Sequence, residues 1–235
     1  MRRLSSIFRR DLLEVAYTAI WKLGARLRAP AGTHGAIFTR IYRHNEWGDG
    51  ESRSGPGSTR ARGADFRASL REIIERFGIR SILDAPCGDY NWMRDATDLP
   101  LDAYIGVDVV AELIAANKEQ YADDAHSFLC RDITRDALPA ANLILCRDAL
   151  VHFSYADIHA AIANFKRSGS KYLLATTFAA SPRNEDIRTG GWRALNLQVT
   201  PFEFPVPLAV IRDVPPQAQG VVESKQLALW ELSTL

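Results

Sequence analysis

Three apolar stretches of this chain each end in an aspartate, and the first runs directly into a Pro-Cys-Gly turn. Ser81-Ile82-Leu83-Asp84 leads into Ala85-Pro86-Cys87-Gly88-Asp89. Ala103 to Val107 ends in Asp108, and Phe128 to Arg131 ends in Asp132. A chain that repeatedly delivers a carboxylate at the end of a short strand predicts an open α/β sheet. The carboxyl edge of such a sheet faces a nucleoside-type ligand.

The flanking pattern supports that sheet. Phe66, Leu70, Ile73, Ile74 and Phe77 mark one helix face from Asp65 to Gly78. Strands are predicted at Ser81–Asp84, Ala103–Asp108, Phe128–Asp132, Asn142–Asp148 and Tyr172–Phe178, with helices at Val110–Tyr121 and Tyr155–Phe165. Trp92 and Met93 are placed on a helix opening after the first strand. Strand and helix alternating over short links predict a parallel sheet with right-handed crossovers. Leu208–Arg212 and Leu227–Trp230 follow as two late strands.

At 235 residues, 47% hydrophobic and 24% charged, the chain suits one sizeable α/β domain with an appendage. A net charge of +1 gives no electrostatic reason to expect nucleic acid. Cys87, Cys130 and Cys146 show no metal-binding spacing. They read as reduced thiols inside the sheet of a cytoplasmic protein, with no metal site.

Three regions are expected: residues 1–30, 31–62 and 63–235. The first carries Arg2, Arg3, Arg9 and Arg10 and an apolar series from Leu4 to Leu27, interrupted by Asp11, Glu14 and Lys22. It reads as an amphipathic helix rather than a cleaved leader. Such a helix packs on protein or rests peripherally on an anionic membrane. The second region is rich in turn formers but holds Tyr42, His44 and Trp47 close together, and is read as an arm over the ligand site.

Leu83-Asp84-Ala85-Pro86-Cys87-Gly88-Asp89, Tyr104-Ile105-Gly106-Val107-Asp108 and Asp132 resemble the class I S-adenosylmethionine (SAM)-dependent methyltransferases over residues 66–230. A narrower likeness, to a group of bacterial methyltransferases without a defined acceptor, rests on three segments. They run from Ile41-Tyr42 to Ser58, from Cys146 to His152, and from Asp186 to Arg193. The resemblance implies a Rossmann-like sheet, mostly parallel with a late antiparallel strand. It implies SAM lying against Asp84, Pro86, Cys87, Gly88, Asp89, Trp92 and Arg147, with Asp108 at the ribose hydroxyls and Asp132 at the adenine amino group. Of the three glycines usual in the turn only Gly88 is present; Pro86 and Tyr90 replace the others. That pattern disfavours a dinucleotide, whose pyrophosphate needs close backbone amides. As plain residues, the three aspartates also read as loop acids or helix caps.

Further along, a helical turn after Asp148 would bring Asp148 and His152 onto one face, a carboxylate steering an imidazole base. The competing reading makes His152 a cap for the helix that follows Ser154. Arg147 is expected to pair with Asp148 or with an anionic ligand group. The aperiodic stretch from Asn184 to Leu197 reads as an acceptor wall, with Asp186, Arg188, Trp192 and Arg193 facing substrate beside Tyr42 and Trp47 of the arm. A homodimer contact is the alternative use for it. These readings together describe methyl transfer to the oxygen of a small-molecule or glycan-like acceptor. The rival function is a non-catalytic SAM-fold module that binds through its N-terminal helix and arm.

Overall fold

The computed structural model describes residues 33–215 and 218–235, so the helix expected over residues 1–30 lies outside the described residues. Among these residues seven strands form one sheet: β1 (Ser81–Asp84), β2 (Ala103–Asp108), β3 (His126–Cys130), β4 (Leu143–Cys146), β5 (Tyr172–Phe178), β6 (Ala209–Arg212) and β7 (Lys225–Glu231). Their order is β3-β2-β1-β4-β5-β7-β6. The first five pair in parallel, and β7 runs antiparallel between β5 and β6. This is the parallel α/β sheet that the strand pattern predicts, with the late antiparallel strand of the Rossmann-like fold that the resemblance implies. The order reverses between β1 and β4, which opens a crevice at their carboxyl ends.

Among the described residues four α-helices accompany the sheet: α1 (His34–His44), α2 (Arg60–Phe77), α3 (Ala111–Tyr121) and α4 (Tyr155–Arg167). Alternation along each strand sorts the core into two faces. Ile82, Leu143, Leu145 and Leu174 meet Phe66, Leu70 and Ile74 of α2 and Leu113 and Ile114 of α3. Leu83, Ile144 and Leu173 meet Ile158, Ala161 and Phe165 of α4 on the opposite face. Helix ends follow their caps. Thr59 accepts from the Arg62 N–H at the start of α2, and Gly78 closes it at φ 63°.

Two expectations need correction, on the turn after β1 and on the cysteines, and the arm gains a definite form. Residues 31–62 contain a helix, α1, which Thr33 caps and whose Ile37 and Ile41 are buried. After β1 no α-helix forms, only a 3₁₀ turn at Met93–Asp95. Tyr90 there has φ 57°, outside helical geometry, and the Asp89 and Asn91 side chains bond the arm instead. Tyr90 occupies the left-handed region at a cost of about 1–2 kcal/mol. Burying its ring against Tyr104, Tyr121 and Phe128 offsets that cost. Finally, Cys87 and Cys146 are buried thiols, but Cys130, the last residue of β3, is exposed.

Gly63 of α2 lies against Trp92, where an added Cβ would sit 2.5 Å from the Trp92 Cβ and 3.3 Å from its Cα. Helix propensity alone favours alanine by about 1 kcal/mol. Overpacking is expected to win, so Gly63→Ala should lose about 1–3 kcal/mol of stability by chemical denaturation. A gain would mean that Trp92 is free to move.

Candidate functional site

The turn after β1 is assembled together with the arm. Asp89 accepts from the Ser52 hydroxyl at 2.9 Å and from the Arg53 N–H at 3.0 Å, while its own N–H donates to the Ser54 hydroxyl at 2.9 Å. Asp89 therefore fastens the arm to the turn and does not line the cavity expected for it. Gly88 (φ 55°) has no room for a side chain, since a Cβ would meet the Ser54 Oγ at 2.3 Å.

The three strand-end carboxylates border one cavity of about 610 Å³, within the range of roughly 300–1,000 Å³ typical of small-molecule sites. Their environments differ. Burial pushes Asp84 up to about 7, against the Tyr104 hydroxyl that donates to it at 2.7 Å. Burial likewise pushes Asp108 up to about 6, opposed by N–H groups of Val110 (2.9 Å) and Gly88 (3.2 Å). Asp132 is also raised by burial, but hydrogen bonds from His34 and Thr134 outweigh this and hold it at about 2. Pro86, Cys87, Gly88 and Trp92 continue the same wall, and Val109, Val110, Leu113 and Ile133 make it apolar beside Asp108 and Asp132.

At the end of β4 the expected pairings are replaced by others. Arg147 donates from Nε and Nη2 to the two oxygens of Asp213, each at 3.1 Å, and from Nη1 to the Gly57 carbonyl at 2.6 Å. Its guanidinium also lies 5.5 Å from the Trp92 ring centroid. Asp213 accepts in addition from Arg62 at 2.8 Å and pairs with Lys225 at 3.0 Å. Lys225 reaches on to Asp148 at 2.7 Å. The Asp148 carboxylate thus accepts from Lys225 and the Thr176 hydroxyl, not from His152. Asp148 has φ 56°, so the chain turns out of helical geometry between β4 and the 3₁₀ turn Leu150–His152. Burial would raise Asp148, yet Lys225 and Arg147 hold it well below the usual carboxylate range.

His152 is fixed by the segment expected to form the acceptor wall. Its Nδ1 lies 2.7 Å from the Gly191 carbonyl, while its own carbonyl accepts from the Gly190 N–H at 2.8 Å. Burial lowers the imidazole pKa against the pull of that carbonyl and of Asp148. The ring is thus neutral, with the proton on Nδ1 and a lone pair on Nε2. Trp47 packs against it at 5.2 Å between centroids.

Trp192 lines the cavity, but Asp186, Arg188 and Arg193 do not. Asp186 accepts from the N–H of Tyr155 at 2.8 Å, at the start of α4. Arg193 turns inward to the carbonyls of Leu150 (3.2 Å) and Val151 (3.0 Å), and burial lowers it to about 10. Arg188 is exposed. The stretch is a buckle over β5 rather than a polar wall: Leu195 and Leu197 are fully buried. Tyr42 and Trp47 do face the cavity, with Phe38, Phe153 and Phe178. His34, Arg62 and Lys225 also line the cavity, and Asp213 pairs with Arg62 and Lys225, contacts that no local sequence pattern marks. Among the described residues no group of three or more His, Cys, Asp or Glu side chains could hold a metal ion, and no helix is long and apolar enough to cross a membrane.

The side chains of Arg147, Asp213 and Lys225 are 4%, 2% and 8% exposed. Removing the shared carboxylate leaves buried cations without their partner. Asp213→Asn is expected to cost about 3–5 kcal/mol in urea unfolding; an unchanged midpoint would contradict the pairing.

No protein-family model and no curated protein sequence matches the chain. Solved structures do. Burkholderia thailandensis 1,6-didemethyltoxoflavin-N1-methyltransferase, with 1,6-didemethyltoxoflavin and S-adenosylhomocysteine bound, is 13% identical over 87% of this chain and 92% of that one, TM-score 0.57. Magnesium protoporphyrin IX methyltransferase from Synechocystis PCC 6803 with bound SAM is 12% identical over 91% and 96%, TM-score 0.52. The N-methyltransferase NodS from Bradyrhizobium japonicum WM9 with S-adenosylhomocysteine is 16% identical over 71% and 87%, TM-score 0.51. At these identities the likeness establishes a shared fold: the chain has the class I methyltransferase architecture.

Proposed function

We propose that this protein is a SAM-dependent methyltransferase acting at an oxygen of a small-molecule or glycan-like acceptor, in a reducing, cytoplasmic setting. The observation that carries the reading is the meeting of Asp84, Asp108 and Asp132 on one cavity whose other half is roofed by aromatic side chains. The donor set suits SAM. Asp108 would hold the ribose hydroxyls, and Ile133, Val109 and Leu113 the base. Asp84 with the Pro86–Gly88 turn and Trp92 would flank the cationic methionine portion. Arg147, held by Asp213 and the Gly57 carbonyl, supports that wall from behind. The finer likeness to a bacterial methyltransferase group fits the segments around Tyr42, His152 and Gly190-Gly191-Trp192, which come together here.

SAM, when bound, supplies an electrophilic methyl group. The chain's own task is to position the acceptor and to exclude water, effects that can supply roughly 7–11 kcal/mol. Phe38, Tyr42, Trp47, Phe153 and Trp192 offer flat apolar faces suited to a sugar or other ring. His152 Nε2 takes the acceptor's hydroxyl proton, while the Gly191 carbonyl fixes the tautomer and Asp148 stabilises the imidazolium that forms.

Two measurements test this. In calorimetric titration, S-adenosylhomocysteine should bind the wild-type chain, and Asp108→Asn should weaken it by about tenfold, since hydrogen bonds to a charged group contribute about 1.5–3 kcal/mol. Absence of binding would overturn the reading. With labelled SAM and a pool of small-molecule and glycan acceptors, His152→Gln should cut transfer by about 10²–10⁴-fold with cofactor affinity unchanged. Cofactor binding without transfer to any acceptor would instead leave a non-catalytic binding module.

A further inference from the structure

The base end of the cavity contains an acceptor that is already taken. Asp132, which follows β3, has a side chain only 3% exposed. Its Oδ1 accepts from the Thr134 N–H at 3.0 Å and from the Thr134 hydroxyl at 2.7 Å. Its Oδ2 lies 2.9 Å from His34 Nδ1 and 3.3 Å from Arg135 Nε. An ionised carboxylate has about four lone-pair sites; the two Thr134 donors, the His34 ring nitrogen, which also reaches Oδ1 at 3.1 Å, and the Arg135 ion pair crowd them.

His34 comes from the first turn of α1 and makes a second ion pair. Its Nε2 is 3.2 Å from Asp157 Oδ2 on the first turn of α4, and its ring stacks on Phe153 at 5.7 Å. Asp157 also accepts from the hydroxyls of Ser154 and Thr189. Behind Asp132 stand Arg135 and Asp136, the latter accepting the Asp132 N–H at 2.7 Å. With a carboxylate on each ring nitrogen, His34 is held as imidazolium. The Asp132 hydrogen bond is the largest cause, and it raises the His34 pKa above its ordinary value despite burial.

Resting on the cofactor reading above, we propose that His34 competes with the cofactor's base for Asp132: the adenine amino group takes the lone pair that His34 holds, and cofactor binding expels the imidazole from that carboxylate. His34 then keeps only Asp157, and its proton affinity falls. The proton leaves to solvent, so cofactor binding is linked to proton release and to a shift of the first turn of the arm. The sign follows from linkage: affinity is lowest where His34 is protonated and rises as pH passes through its raised pKa. Asp84 and Asp108, at about 7 and about 6, ionise over the same range and act in the same direction. A His34 variant is therefore needed to separate the contributions.

The test is calorimetric titration of the full chain with S-adenosylhomocysteine from pH 5.5 to 8.5, for wild type and His34→Gln. A companion titration of wild type uses the analogue with purine in place of adenine, which lacks the amino group. For a one-unit fall in the His34 pKa on binding, wild-type affinity should rise about tenfold more across this range than that of the variant. Near neutral pH the wild-type heats should vary with buffer ionisation enthalpy, as proton release requires. The purine analogue should give wild type the shallower pH dependence of the variant. Parallel slopes for wild type and variant, or a steep slope retained with the purine analogue, would overturn the proposal. The analogue decides the matter by itself where His34→Gln fails to fold. Loss of binding of both ligands to wild type at every pH would remove the cofactor reading, and this inference with it.

Discussion

The buried carboxylate of Asp213 holds the cavity's floor together. It lies just beyond β6, yet its partners come from α2, the end of β4 and the start of β7: Arg62, Arg147 and Lys225. Through Arg147 the cluster also reaches the arm, at the Gly57 carbonyl. Through Lys225 it reaches Asp148, whose carboxylate would meet any side chain placed at Gly57, since a Cβ there would lie 2.8 Å away. Three cations share two carboxylates in a water-poor setting, where unpaired charge is very costly. The geometry of the β4 edge therefore depends on β6 and β7, which contribute little else to the cavity.

Around that floor, one residue type serves several purposes. Asp84 and Asp108 are raised by burial and are positioned to be stabilised as anions by a cationic or hydroxyl-bearing ligand. Asp132 and Asp148 are already neutralised by the protein's own cations. Asp89 and Asp186 do structural work, one tying down the arm and the other receiving the first N–H of α4. Carboxylates of similar appearance in the sequence thus divide by burial and by the donors that reach them.

That division explains what could be read from the chain and what could not. The strands were legible because their apolar runs are short, end in acids and alternate with helical periods; β1, β2 and β5 coincide with their expected limits. Asp84, Asp108 and Trp92 could be placed because they are local to those strand ends. The partner of Arg147 could not, because Asp213 lies 66 residues away and meets it only through pairing of the late strands. Asp186, Arg188 and Arg193 read as an acceptor wall because polar aperiodic stretches usually line sites. Asp186 and Arg193 instead bond backbone groups at Tyr155, Leu150 and Val151 that sequence spacing does not reveal. The helix α1 did leave a signal, a Thr33 cap ahead of Ile37 and Ile41, but the surrounding glycines and serines obscured it.

The proposed function places one cofactor cleft at the carboxyl edges of β1, β2 and β3. A crystal structure of the full chain with S-adenosylhomocysteine tests this most directly. The account predicts ribose hydroxyls within hydrogen-bond distance of Asp108, with the homocysteine portion running along Pro86 to Gly88. Ligand bound elsewhere, or seated in this cavity without touching Asp108, would contradict it.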